Sequence, residues 1–146
     1  PEREAAWAHA RRIGEQLGMG ELLDQSAAGL TVAGRKRLEV ARTLATGPKM
    51  LLLDEVMAGL NPSEIVEIVE MVRAIRASGV TILLIEHVMQ AVMSLSEYIY
   101  VLSYGKVIAH GEPRAVVSDR AVVEAYLGRG AADQIANMHD KEASHA

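Results

Sequence analysis

The sequence contains no cysteine, which excludes disulfides and thiolate chemistry and is compatible with a reducing compartment. It lacks a basic excess: Lys and Arg number 15 against 19 Asp and Glu, a formal net charge of −4. A surface that grips nucleic-acid phosphates needs the opposite balance, so no nucleic-acid partner is expected. Arg35-Lys36-Arg37 is the densest basic run and reads as a solvated helix face. No apolar run approaches the roughly 20 residues of a membrane-spanning helix. No signal-peptide pattern, internal repeat or low-complexity linker is present. The first residue is Pro1 rather than Met, so the expectation is that the native chain starts elsewhere. What remains is 146 residues, half of them hydrophobic, enough for one domain with a modest core.

The most informative stretch is Met50-Leu51-Leu52-Leu53-Asp54-Glu55. Three leucines ending in two carboxylates read as a strand buried on both faces, with its C-terminal end delivering a polar site. Ala58-Gly59-Leu60 follows as a turn. Asn61-Pro62-Ser63-Glu64 then has the form of a helix start, with Asn as cap, Pro at the first position and Glu at the third. That helix should run to about Ala77, with Ile65, Ile68, Val69, Val72 and Ile75 facing a core. Ser78-Gly79 closes it, and Val80 to Ile85 reads as a second strand ending at Glu86-His87. Strand, helix and strand with short connections make one βαβ unit. A right-handed crossover makes its strands parallel and brings Glu55 and His87 to one sheet edge.

Upstream, Glu2 to Leu17 reads as a helix with Ala5, Ala6, His9, Ile13 and Leu17 on one stripe, stopped by Gly18 and Gly20. Thr31 is a plausible cap for a second helix with Leu38, Ala41, Leu44 and Ala45 on its apolar stripe. Gly47-Pro48 ends it. Downstream, Val88 to Ser96 reads as a short helix, and Tyr98–Ser103 with Val107–His110 as a hairpin around Gly105-Lys106. Two helical segments start near Glu112-Pro113 and Ser118-Asp119. Residues 131–146 lose hydrophobic periodicity and are expected to form a frayed tail.

Asp54 and Glu55 are the leading chemical candidates. Consecutive strand residues point opposite ways, so one carboxylate can hold a hydrated Mg²⁺ while the other orients or deprotonates water. The competing reading is that they cap the loop or pair with arginines. A lone strand-end histidine is ordinarily structural, but His87 shares a sheet edge with Glu55 and can meet a phosphate oxygen. His9, His110, His139 and His145 have no such neighbour and read as structural or solvated. No His/Asp/Glu spacing marks a dedicated transition-metal site.

Together these stretches resemble the nucleotide-binding domain of ABC transporters, over roughly Leu17 to Gly128. Leu51–Glu55 is similar to the Walker B strand and its glutamate, Ala58–Asn61 to the D-loop, and His87 after Leu83-Leu84-Ile85-Glu86 to the switch-loop histidine. Leu30–Gly34 stands where the signature Leu-Ser-Gly-Gly-Gln belongs. Ala58–Pro62, Ile85–Met89 and Ala125-Tyr126-Leu127-Gly128 look most like the branched-chain amino-acid importers, with urea-uptake and lipopolysaccharide-export ATPases as near relatives. The sequence departs from the pattern at five places. Val32 and Ala33 replace two glycines, Gly34 replaces Gln, Val56 replaces Pro and Asn61 replaces Asp.

The resemblance implies an α/β fold: the C-terminal part of a P-loop NTPase-like domain, with parallel strands, flanking helices and a C-terminal hairpin. Residues 1–47 would form the helical signature region and 48–130 the portion from Walker B onward. It also implies ATP and Mg²⁺ as ligands, with Asp54 on the metal, Glu55 as general base and His87 on the γ-phosphate. Thr31, Val32, Ala33, Gly34 and Asn61 would contribute to nucleotide contact. Implied partners are a second ATPase subunit, identical or not, and membrane permease subunits at the cytoplasmic face of the membrane. A phosphate cradle of the form Gly-x4-Gly-Lys-[Ser/Thr] is missing, and Gly105-Lys106 reads as a turn. The expectation is therefore a C-terminal portion lacking the P-loop, inactive alone. The alternative is a non-catalytic module that pairs with a complete ATPase or a permease.

Overall fold

The computed structural model describes residues 2–127. The segment 131–146, with His139 and His145, and Gly128 lie outside the described residues. Contacts divide the chain into two units, residues 1–95 and 96–146.

In the first unit, α1 spans Glu2–Gln16, α2 Val32–Leu44, β1 Met50–Asp54, α3 Pro62–Ala77, β2 Thr81–Ile85 and α4 Met89–Leu95, with short 3-10 turns at Gly20–Leu22 and Ala27–Gly29. The expected βαβ unit is present. β1 and β2 pair in parallel, Met50 opposite Thr81 through Asp54 opposite Ile85. α3 crosses between them and starts where its sequence dictates. Asn61 Oδ1 accepts from the Glu64 N–H at 3.0 Å and Glu64 Oε2 accepts from the Asn61 N–H at 2.9 Å, a reciprocal cap on the first turn. One face of α3 buries Ile68, Val69, Met71, Val72 and Ile75. Each such side chain contributes on the order of 1.5–3 kcal/mol by leaving water. This face joins Leu51 and Leu53 of β1, Ile13, Leu17, Val40 and Ala41 in one core.

Three expectations are corrected. β1 is buried on one face only: Leu51 is 2% and Leu53 4% exposed, whereas Leu52 is 67% exposed. Met50, Leu52, Leu83 and Ile85 form an uncovered apolar face, because β1 and β2 make a two-stranded sheet whose helices pack on the opposite side. The leucine run carries no information about which face is served. The α1 stripe is covered only at its C-terminal end, at Ile13 and Leu17, while Ala5, Ala6 and His9 stay exposed. In α2 the buried set is Ala33, Gly34, Val40 and Ala41. Leu38 and Leu44 are half-buried and Ala45, already the C-cap, is exposed.

Arg37 of α2 forms an ion pair with Glu67 of α3, joining the two helices. In the second unit, β3 (Ile99–Ser103) and β4 (Lys106–Gly111) form the expected antiparallel hairpin, with a register shift at Val101/Leu102. α5 (Pro113–Val117) and α6 (Arg120–Leu127) follow, and Val101, Val116 and Val122 form this unit's own small core. Tyr98 Oη and His110 Nδ1 lie 2.8 Å apart across the hairpin, a structural role for that histidine. Among the described residues, no helix is long and apolar enough to cross a membrane.

Candidate functional site

The site gathers at the C-terminal ends of β1 and β2, the edge where parallel α/β sheets present ligands. β1 ends at Asp54, which by strand alternation shares the bare face with Met50 and Leu52 and is itself exposed. A shallow cleft of about 180 Å³ beside it is lined by Glu39, Thr43, Leu51–Asp54 and Val56.

Glu55 does not continue the strand. Its φ is +47°, a left-handed conformation that a side chain with Cβ rarely adopts. Its N–H still donates to Ile85 C=O at 2.9 Å, so the turn begins while tied to β2. The backbone then doubles back: Ala58 N–H donates to Glu55 C=O at 3.1 Å and Leu60 N–H to Met57 C=O at 3.3 Å. Gly59, at φ +77°, supplies the second left-handed position without a Cβ penalty. Asp54 and Glu55 therefore diverge by a backbone turn rather than by strand alternation.

His87 follows β2, with Nδ1 3.6 Å from Glu55 Oε1. That separation exceeds a hydrogen bond, so the imidazole and carboxylate are neighbours that leave each other's polar atoms free for a third group. Both are open to solvent, His87 63% and Glu55 57% exposed. The pairing inferred from topology is thus realised: β1–β2 register brings two residues distant in sequence to one edge.

The remaining candidates sit elsewhere in the same unit. Thr31 caps α2, its Oγ1 accepting from Gly34 N–H at 3.1 Å, so the hydroxyl is already engaged. Val32 is exposed and Ala33 buried, so the side chain at 33 turns into the core. Space at Gly34 is tight: an added Cβ would stand 3.3 Å from Leu30 Cβ and 3.4 Å from Thr31 Oγ1, so these neighbours would have to give by a few tenths of an ångström. Asn61 Oδ1 serves the α3 cap and also accepts from Ser63 Oγ at 2.6 Å.

Sequence reasoning treated Glu86 only as part of a motif. Its Oε1 accepts from Met57 N–H at 2.9 Å, tying the end of β2 to the acidic turn. The available signal was a carboxylate at a strand end opposite a turn with N–H groups to satisfy.

Among the described residues no group of three or more His, Cys, Asp or Glu could hold a metal by itself. An exposed single carboxylate such as Asp54 suits Mg²⁺, which keeps several waters and is bound through one or two carboxylates plus substrate phosphates.

Comparison with known proteins gives the same family from sequence and from fold. The pattern of the branched-chain amino acid ATP-binding cassette transporter family matches residues 106–132. The high-affinity branched-chain amino acid transport ATP-binding protein LivG of Escherichia coli K12 is 40% identical over 128 residues, covering 87% of this chain and 48% of that protein. A nucleotide-free ATP-binding cassette from an ABC transporter superposes with a TM-score of 0.78 at 35% identity, covering 86% of this chain and 51% of that one. The chain resembles part of the ATP-binding cassettes of ABC transporters in sequence and in fold. It spans about half the length of the curated relatives it matches. The lipopolysaccharide export ATP-binding protein LptB of Escherichia coli K12 is also similar, 34% identical over 119 residues, covering 82% of this chain and 49% of that protein. The matched part holds the strand-end carboxylates, α2 and the C-terminal hairpin of this chain.

Proposed function

We propose that this chain supplies the water-activating half of an ATP-hydrolysing site in an ABC transporter. Residues 1–130 act as part of a nucleotide-binding domain. The observation that carries this reading is the approach of Glu55 and His87 at the end of a parallel strand pair, 3.6 Å apart and open to solvent. Glu55 accepts the proton of the attacking water, and His87 donates an N–H to the phosphate that is attacked. Asp54 would hold Mg²⁺ through the ion's water shell, and the ion would supply neutralisation of phosphate charge. Val32 and Ala33, in the first turn of α2, offer backbone N–H groups and the positive end of the helix dipole to the nucleotide of a second subunit, while the Gly34 N–H is held by Thr31 Oγ1 and keeps that turn in shape. Thr31 and Asn61 hold their helix starts in place beside these contacts.

Positioning and electrostatic clamping of phosphates supply most of phosphoryl-transfer catalysis, and no Gly-x4-Gly-Lys-[Ser/Thr] occurs in the sequence. The chain alone is therefore expected to bind ATP weakly and to show no turnover above its Glu55→Gln control. Robust, Glu55-dependent hydrolysis by the purified chain with Mg²⁺ would sink the claim that the cradle is supplied from outside residues 1–146.

For the transported solute, identity to LivG supports branched-chain amino-acid import, and the lower identity to LptB makes lipopolysaccharide export the alternative. In either setting the chain works with a second ATPase subunit and membrane permeases, at the cytoplasmic face. A second reading rests on the bare sheet face of Met50, Leu52, Leu83 and Ile85. Contiguous exposed apolar surface marks association sites, so the chain can serve as a non-catalytic module paired with a complete ATPase. A monomer by light scattering that binds no hydrophobic dye would count against that reading.

A further inference from the structure

Beyond the two residues proposed to meet water and phosphate, Glu86 stands where it can govern both. It follows β2 and directly precedes His87 in the chain. Across the sheet edge its Oε1 accepts the Met57 N–H at 2.9 Å. Ile85 C=O accepts the Glu55 N–H, also at 2.9 Å. Consecutive residues of the β2 end thus catch the N–H groups of Glu55 and Met57, one on either side of Val56.

Between those two anchors Glu55 holds its φ of +47°. A left-handed non-glycine residue persists only where its surroundings over-determine it. The Met57 side chain is 1% exposed and fixes the turn to the core, but a buried thioether cannot orient an amide. The carboxylate does, through a charge-assisted bond stronger than a neutral one. Its other oxygen, Oε2, is buried without a hydrogen-bond partner. Glu86 is half-buried, and the Met57 bond offsets part of the cost of desolvating its carboxylate.

We infer that Glu86 is a positioning residue that ties the turn carrying Glu55 to the segment carrying His87, so that the two side chains move together. The inference rests on the proposed function for its significance, though the tie itself can be tested without nucleotide. A displacement of His87 toward or away from a phosphate is passed through Glu86 to the Met57 amide and so to Glu55. An aliphatic or shortened side chain at 86 removes that link and leaves the Glu55 N–H to Ile85 C=O hydrogen bond tying the two segments.

The test uses the 146-residue chain, with amide exchange read at Met57 and the ring resonance of His87 followed by NMR. In Glu86→Ala, Met57 exchange should accelerate about tenfold or more, the size expected when a buried amide loses its acceptor, and the His87 resonance should move. Glu86→Gln keeps an oxygen for that N–H and should stay within about threefold of the parent, with His87 unmoved. Glu86→Asp, one methylene short, should behave like Ala and serves if the Ala variant does not fold. Unchanged Met57 protection in Ala or Asp, or Gln exchanging as fast as Ala, would overturn the tie. Glu55→Gln separates the two readings. If it leaves the His87 resonance where it was, the Glu55–His87 pairing fails, while Met57 exchange still decides the role of Glu86.

Discussion

The two faces of the β1–β2 sheet carry the same kind of residue and meet opposite fates. Leu51 and Leu53 vanish into the core at 2% and 4% exposure, while Leu52 between them is 67% exposed. The packed face is where α3 and α2 lie, and it fixes the strand pair. The bare face carries Asp54 at its end, together with Met50, Leu83 and Ile85. Leucine on a strand records a demand for burial, not who meets it. The chain spans about half the length of the cassettes it matches. The proposed chemistry sits at the rim between a covered face and a bare one.

The contrast can be broken in order of size. Leu51→Ala removes a fully buried side chain and should cost about 2–5 kcal/mol, read as a shift in the urea midpoint at constant slope. Asn61→Ala takes away the side-chain half of the reciprocal cap and the Ser63 contact at the start of α3, leaving the Asn61 N–H bond to Glu64, and should cost about 1 kcal/mol by the same measurement. Glu55→Gly should go the other way, gaining roughly 0.5–1 kcal/mol because glycine tolerates the left-handed backbone, while the proposed base is lost. A loss of stability in that variant would mean the turn is not strained at Glu55. Leu52→Ala should change stability by no more than about 0.5 kcal/mol in this chain. In a complete cassette the same substitution should approach the cost of Leu51→Ala, and equal insensitivity there would show that the face stays bare.

These residues also mark how far the sequence could be read. The β1–α3–β2 unit was legible because its signals are local: apolar runs punctuated by Gly47-Pro48 and Ser78-Gly79, and an Asn61-to-Glu64 cap spanning one helical turn. The meeting of Glu55 and His87 was legible one level higher, since parallel pairing puts both strand ends on one edge. The bare face was not, because alternation and continuous apolarity look alike in a five-residue leucine-rich strand. Nor was the conformation of Glu55, since glutamate carries no left-handed preference to announce it. The Glu86–Met57 tie depends on cross-strand proximity that no spacing encodes. The covered end of α1 and the shift of the α2 stripe toward Val40 likewise reflect which neighbours are present, not periodicity.

The most direct measurement replaces the matching half of E. coli LivG with residues 17–128 of this chain, so that a phosphate-binding half is provided, and follows Mg²⁺-dependent ATP turnover. The account predicts hydrolysis that falls about 100-fold or more in Glu55→Gln, the scale of a lost general base, with nucleotide still bound. A chimera that binds ATP and hydrolyses it equally well with glutamine at position 55 would contradict it.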